Sequence, residues 1–421
     1  MYSILIFLLT IAVITAVAIK YRTPPFLTLI GGALFFGIAS NMPLDSLVRE
    51  VTAGMGRVFA LLGLVILAGA VIAKVMQEQH QVEQLVNDIQ RAVKKPFELF
   101  GIAGFLLAIP LMCCITAFVI LTPIINALGG DSQKTKGLLY TAALGSLISF
   151  ALIYPTPVII ALFSAIPGAA VSPFTFDLYI LPIALVLLAG AIFLMRNRYE
   201  TYEGANQHIP EPEIPDASTK NHARAWYPFI AMGIAMALGI AIFHLSPGSL
   251  IQIVMLAGVV TALALAPAEV RKSAFSSGAK HAGVIIFDLC GAGALGAVIG
   301  ASGLGTEAFG LLTIALPAIV VPFLLAALIQ TAQGSRVVTA VITGEIIAGT
   351  SIAASIHPLS LILLISGGAC IVSYITDPYF WLVQRATGDD VITVVKNYTL
   401  PLAALGVVLF VVATAMELVL G

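Results

Sequence analysis

Apolar runs of about bilayer-crossing length recur along this chain, near residues 2–19, 25–40 and 57–74 and again near 226–244, 249–267 and 284–300, each ended by a polar turn. A helix needs about 20 apolar residues to cross a hydrocarbon core. Lipid offers backbone N–H and C=O groups no partner, so runs of this kind leave only helical spans as a fold. With 60% hydrophobic and 10% charged residues over 421 positions, the same constraint governs the whole chain. The expected fold class is an all-α polytopic protein of the cell (plasma) membrane. The first run has no basic residue before Lys20 and no small-residue cleavage site after it, so it reads as a retained helix.

Charge and sulfur narrow the function classes. Twenty basic and 21 acidic residues nearly cancel, and no basic block interleaved with aromatics suggests nucleic acid. Cys113, Cys114, Cys290 and Cys370 lie in apolar runs without a CxxC pair or nearby histidine, so they read as buried small side chains rather than a disulfide or metal site. An intramembrane hydrolase needs a nucleophile with its base, or paired metal ligands, inside the spans. The histidines lie in polar segments or at span ends, and neither HExxH nor GxSxG occurs. The reading is therefore not an enzyme, with no cofactor and no metal.

Taken in order, the basic Lys20–Arg22 turn belongs to the cytoplasmic side, which places the N-terminus outside. Gln77 to Lys95 is polar, with Val82, Leu85, Val86, Ile89 and Val93 on one helical face, so an interfacial amphipathic helix is expected. The run Phe97–Leu128 is interrupted at Pro110, Cys113, Cys114 and Thr116 and is flanked by lysines on both sides. Cytoplasmic flanks at both ends make it a re-entrant hairpin, with a single long tilted span as the competing reading. Two prolines in Tyr154-Pro155-Thr156-Pro157 break the next span. Arg196–Arg224 is long and hydrophilic and reads as a linker.

The second half then repeats the plan. Gly69-Ala70-Val71-Ile72 recurs as Gly296-Ala297-Val298-Ile299, and the same shift carries Pro155 close to Pro378 and the Pro110–Thr116 break close to a polar cluster at 330–336. Five crossings and a hairpin per half is an odd number, so the second half enters from the opposite face. The expected organisation is a transmembrane repeat at 1–196, a cytoplasmic linker at 197–224 and an inverted-topology repeat at 225–421, each repeat with a re-entrant hairpin and a discontinuous helix. Paired broken helices in inverted repeats are the signature of a secondary transporter.

Three stretches carry a resemblance to a known family: GAGALGAVIGASGLG at 291–305, AQGS at 332–335, and SYITDPYFWLVQRATG at 373–388. They resemble motifs of the gluconate permease family, gluconate:proton symporters of the wider ion-transporter superfamily, and weaker likeness at Ile109-Pro110 and Pro155–Pro157 extends it over most of the chain. The resemblance implies uptake of a small sugar acid or hydroxy acid with protons, through two hairpins and two unwound helices. Met112, Cys113, Cys114 and Ile115 stand where the family usually carries an acid. Tyr374 and Thr376 replace the motif's His and Asn, and Arg336 stands where a small residue is usual.

Candidate site residues follow from the breaks. At 330–336 an apolar helix ends in Gln330, Thr331, Gln333, Gly334, Ser335 and Arg336 at membrane depth, where polar groups are tolerated only against protein or a water-filled cavity. Arg336 is suited to a substrate carboxylate, because the guanidinium fork bonds it at two points; a structural ion pair or snorkelling is the competing role. Gln333, Ser335 and Thr331, with Gly334 and Thr376, are the expected partners of substrate hydroxyls, unless they only satisfy broken backbone. Asp377 is the expected proton-coupling carboxylate, with a helix cap before Pro378 as its rival. Tyr154 and Thr156 complete the expected cavity from the other half, or else only mark a packing kink. The expected partners are a small organic anion, protons or sodium, the lipid bilayer and a second copy in a homodimer. A sodium-coupled carboxylate symporter, a cation/proton antiporter and a channel are the alternatives.

Overall fold

The computed structural model describes the chain except residues 1, 22, 130–132, 167–171, 201–221, 303–315, 375 and 421, and between residues 80 and 94 it describes scattered positions only. Most of the expected interfacial helix, including Val82, Val86 and Ile89, lies outside the described residues. So do most of the linker and the start of the run leading to Ile329. Every regular element among the described residues is helical.

The first half runs α1 (Tyr2–Tyr21), α2 (Pro25–Ala39), α3 (Leu44–Glu78), α4 (Pro96–Ala108), α5 (Cys114–Gly129), α6 (Gln133–Leu152), α7 (Pro157–Ala165) and α8 (Pro173–Glu200). The second runs α9 (His222–Ala241), α10 (Pro247–Leu265), α11 (Ala268–Ala301), α12 (Val320–Gln333), α13 (Arg336–Ala348), α14 (Ile352–Ser355), α15 (Pro358–Ile371), α16 (Pro378–Thr387), α17 (Val391–Val394) and, after a π turn at Val395–Thr399, α18 (Leu400–Leu420). Apart from the short α14 and α17, each element of one half has its counterpart in the other. Seven helical segments among the described residues are long and apolar enough to cross a membrane. The last span also takes in α17 and the π turn and so runs from Val391, with α18 itself starting at Leu400, and α3 begins at Leu44 rather than near 57.

The run 97–128 is two helices of 13 and 16 residues, not one span. At 1.5 Å per residue these reach about 20 and 24 Å, short of a hydrocarbon core of about 30 Å, which is the geometry of a hairpin. Its counterpart, α12 and α13, has 14 and 13 residues.

Small residues let the helices close on one another. On α3, Gly54 meets the Gly293 carbonyl of α11, and further along Val71 meets Gly278, so the two long helices run antiparallel. The repeat organisation expected from the sequence pairs α3 with α11, and opposite directions across their contact are what it requires. The same logic recurs beside each hairpin. Gly145 of α6 admits the carbonyl of Gly101 on α4, and Gly368 of α15 admits that of Phe323 on α12. Polar bonds tie the halves together, with Arg57 to Glu345 at 3.2 Å and Lys136 to Asp389 at 2.6 Å. Glu345, nine residues beyond Arg336 on α13, thus answers to α3.

Candidate functional site

A cavity of about 1050 Å³ opens between the two hairpin tips, lined by residues 111–116 of the first, 332–338 of the second, and the break before α16. The tips are shaped by backbone rules. Helix α12 stops because Gly334 adopts φ +68°, its N–H capping on the Gln330 carbonyl at 2.8 Å, an ordinary left-handed helix end. Any Cβ there would also run into the carbonyl of Thr376, so glycine is required twice over. Ser335 then starts α13, its Oγ accepting from Val338 N at 3.5 Å. Across the cavity Met112 takes φ +54° and packs 2.9 Å from where a Cβ on Gly69 would lie. Cys113 Sγ accepts from Thr116 N at 3.5 Å, which puts it in the capping place that Ser335 holds in the other repeat.

Arg336, the first residue of α13, is 4% exposed, and Asp377, the N-cap of α16, is 1% exposed. Nη1 and Nη2 of the guanidinium each lie 3.3 Å from Asp377 Oδ2, and Nη2 also donates to Ser373 Oγ. Asp377 Oδ1 accepts from Tyr379 N at 2.9 Å, and Oδ2 from the Tyr398 hydroxyl at 3.4 Å. The carboxylate therefore caps its helix, the rival role considered for it, and pairs with Arg336 at once. Thr376 Oγ1 bonds the Thr331 carbonyl at 2.9 Å and latches the hairpin to the break. At the second tip three buried donors, Arg336 Nε, Gln333 Nε2 and Gln330 Nε2, meet no acceptor among the described residues. Arg336 and Gln333 line the cavity, where a ligand oxygen would satisfy both.

Among the sequence-derived candidates, the structure brings Arg336, Gln333, Gly334, Ser335, Thr376 and Asp377 to one cavity. Three others lie apart from it. Thr331 is exposed and its hydroxyl bonds the Ala327 carbonyl four residues back. Tyr154 donates its N–H to Asp177 at 3.0 Å, and Thr156 is buried off the cavity wall, where its neighbours in the chain Phe150 and Pro157 do appear. Helix geometry explains Thr331, because two residues before the cavity-lining Gln333 it sits about 200° round the helix from that face.

Sequence reasoning missed several contributors. Cys113 and Cys114 line the cavity instead of only filling space, at the tip that the chain's own break already marked. Lys74, the only charge between Arg57 and Glu78, was a visible signal, and it lines the cavity with His281, Asp288 and Arg385. Asp288 accepts from Phe26 N at 3.0 Å and caps α2. Ser373 and Tyr398 contact the ion pair; Ser373 opens the motif at 373–388, whereas nothing in the sequence context of Tyr398 signals it.

Comparison with known proteins bears on this site. The model of a family described as GntP family permease matches residues 2–419. The gluconate permease of Pseudomonas aeruginosa is 26% identical, covering 100% of this chain and 98% of that protein. The low-affinity gluconate transporter of Escherichia coli K12 is 22% identical over 92% of each. Among solved structures, the YdaH transporter of Alcanivorax borkumensis, described as having an unusual topology, superposes with a TM-score of 0.63 at 18% identity, over 89% of this chain and 90% of that one.

Proposed function

This chain belongs to the GntP family of permeases and is a multi-pass membrane transporter, not an enzyme; from that premise we propose that it takes up a small sugar acid or related hydroxy acid by proton symport, at the cavity between its hairpin tips. The observation that carries the reading is the buried Arg336–Asp377 pair on the cavity wall. A guanidinium inside a membrane protein needs a counter-charge, and here Asp377 supplies it. A substrate carboxylate arriving at Arg336 competes for the same Nη atoms. Asp377, losing its partner in a water-poor site, is then stabilised by taking up a proton. Proton and anion thus enter together, and release of the anion returns the guanidinium to Asp377 and the proton to water. Gln333 Nε2 and the Ser335 hydroxyl at the same tip are suited to substrate hydroxyls. The relatives' printed substrate, gluconate, has this chemistry.

The test is uptake of labelled gluconate by proteoliposomes with and without a pH gradient. Arg336→Lys keeps the charge but loses the fork and should weaken binding about tenfold or more, while Arg336→Gln should nearly abolish it. A well-folded Arg336→Gln protein that binds the anion with unchanged affinity sinks the assignment. Uptake driven by a sodium gradient and indifferent to pH sinks the coupling.

A further inference from the structure

The charges on the cavity wall do not balance. Lys74, Arg336 and Arg385 face it with Asp288 and Asp377, and Arg336 and Asp377 neutralise one another. Asp288 is engaged with the backbone of Phe26. Lys74 Nζ donates to the neutral Gln77 Oε1 at 2.9 Å, and among the described residues it has no carboxylate partner. Arg385 also has none, but it is exposed at the end of α16, where water offsets its charge. Lys74 is half-buried on α3 and lines the cavity without a carboxylate to answer its charge.

Its position is informative. The wall of α3 is the stripe Ile66, Ala70, Ala73, Lys74 and Gln77, and the first hairpin's tip packs on Gly69 at the top of it. Lys74 is five residues further on, so about 7 Å along the helix axis from the tip. His281, from the antiparallel α11, lines the same cavity. The cavity therefore holds the Arg336 guanidinium at the second tip and, about one and a half turns of α3 beyond the seat of the first tip, an ammonium and an imidazole. At about 1050 Å³ it has room for one ligand to touch both.

We propose that Lys74 and His281 form a second anion subsite, so that the preferred substrate is a short hydroxylated chain with an acidic group at each end. This rests on the transport reading above, with one acidic group at Arg336 and the other at Lys74. Gluconate and glucarate are suitable probes, since they share a carbon skeleton and differ in having one or two carboxylates. In proteoliposomes of the full chain, glucarate should compete with labelled gluconate at least about tenfold better than unlabelled gluconate does, the scale of one added charge-assisted contact. Lys74→Gln should bring that ratio close to one, and Lys74→Arg should retain it. A wild-type ratio of one or less overturns the proposal, as does a ratio that Lys74→Gln leaves intact, which is the behaviour of a lysine that merely reaches for the interface. The wild-type ratio and Lys74→Arg decide the matter if Lys74→Gln does not insert. Absence of any gluconate uptake by the wild type is a different failure, because it removes the transport reading on which the second subsite depends.

Discussion

Arg336 and Asp377 hold each other where neither is tolerable alone. Removing one partner of a buried pair leaves a charge without compensation, at a typical cost of about 3–5 kcal/mol, whereas replacing both by apolar groups is often close to neutral. Asp377→Asn should accordingly lower the unfolding temperature of the detergent-solubilised protein. The double change Arg336→Met with Asp377→Asn should recover much of that loss. A double variant as unstable as the sum of the two singles would mean that the residues are not energetically coupled. Ser373 and Tyr398 limit the recovery, because each contacts the pair and is left with an unmet bond.

At the scale of elements, each repeat turns its hairpin with a different side chain in the same place. Ser335 caps α13 and Cys113 caps α5, both accepting from the N–H three residues on. A hydroxyl is the better acceptor, so Cys113→Ser should be tolerated or slightly stabilising. Ser335→Ala should cost about 1 kcal/mol, read as a lower unfolding midpoint. Equal loss from both substitutions would show that the tips are held by packing and not by their caps. Around the tips, glycine sets the distances between helices. Gly54 and Gly293 bring α3 and α11 into backbone contact, and Gly145 and Gly368 seat one arm of each hairpin against the following broken helix. These contacts seat one short helix of each hairpin directly on its neighbour.

For the molecule as a whole, the antiparallel meeting of α3 and α11 is the arrangement that two halves related by a rotation about an axis in the membrane plane would give. Paired with the cytoplasmic reading of the lysines and arginines near 20–22, 134–136, 196–198 and 271–280, it predicts both termini on the outer face. Single cysteines at Ser3 and Gly421, introduced after replacing the four native ones, should react with an impermeant reagent added from outside. Labelling only from the cytoplasmic side would reverse the orientation. Lys136–Asp389 and Arg57–Glu345 join residues 253 and 288 positions apart, so the two repeats are fastened to each other at more than one place.

The sequence by itself determined the elements and their order, because lipid leaves the backbone few options. Apolar length marked the spans, Pro155 and Pro157 the first break, Pro378 the second, and Gly334-Ser335 a hairpin tip whose glycine no other residue could replace. It also singled out Arg336 and Asp377, since an ionised side chain at membrane depth needs a partner. Which partner each would find was decided only by tertiary structure. Arg336 reaches across 41 positions to Asp377, Asp288 across 262 to the start of α2, and Lys74 joins the cavity through the crossing of α3 with α11. Thr331, Tyr154 and Thr156 carried the same polar signal as the cavity residues and lie apart from it. Periodicity and breaking residues act within a few positions of themselves, whereas a cavity is where distant segments fail to fill space together, and no local rule encodes that.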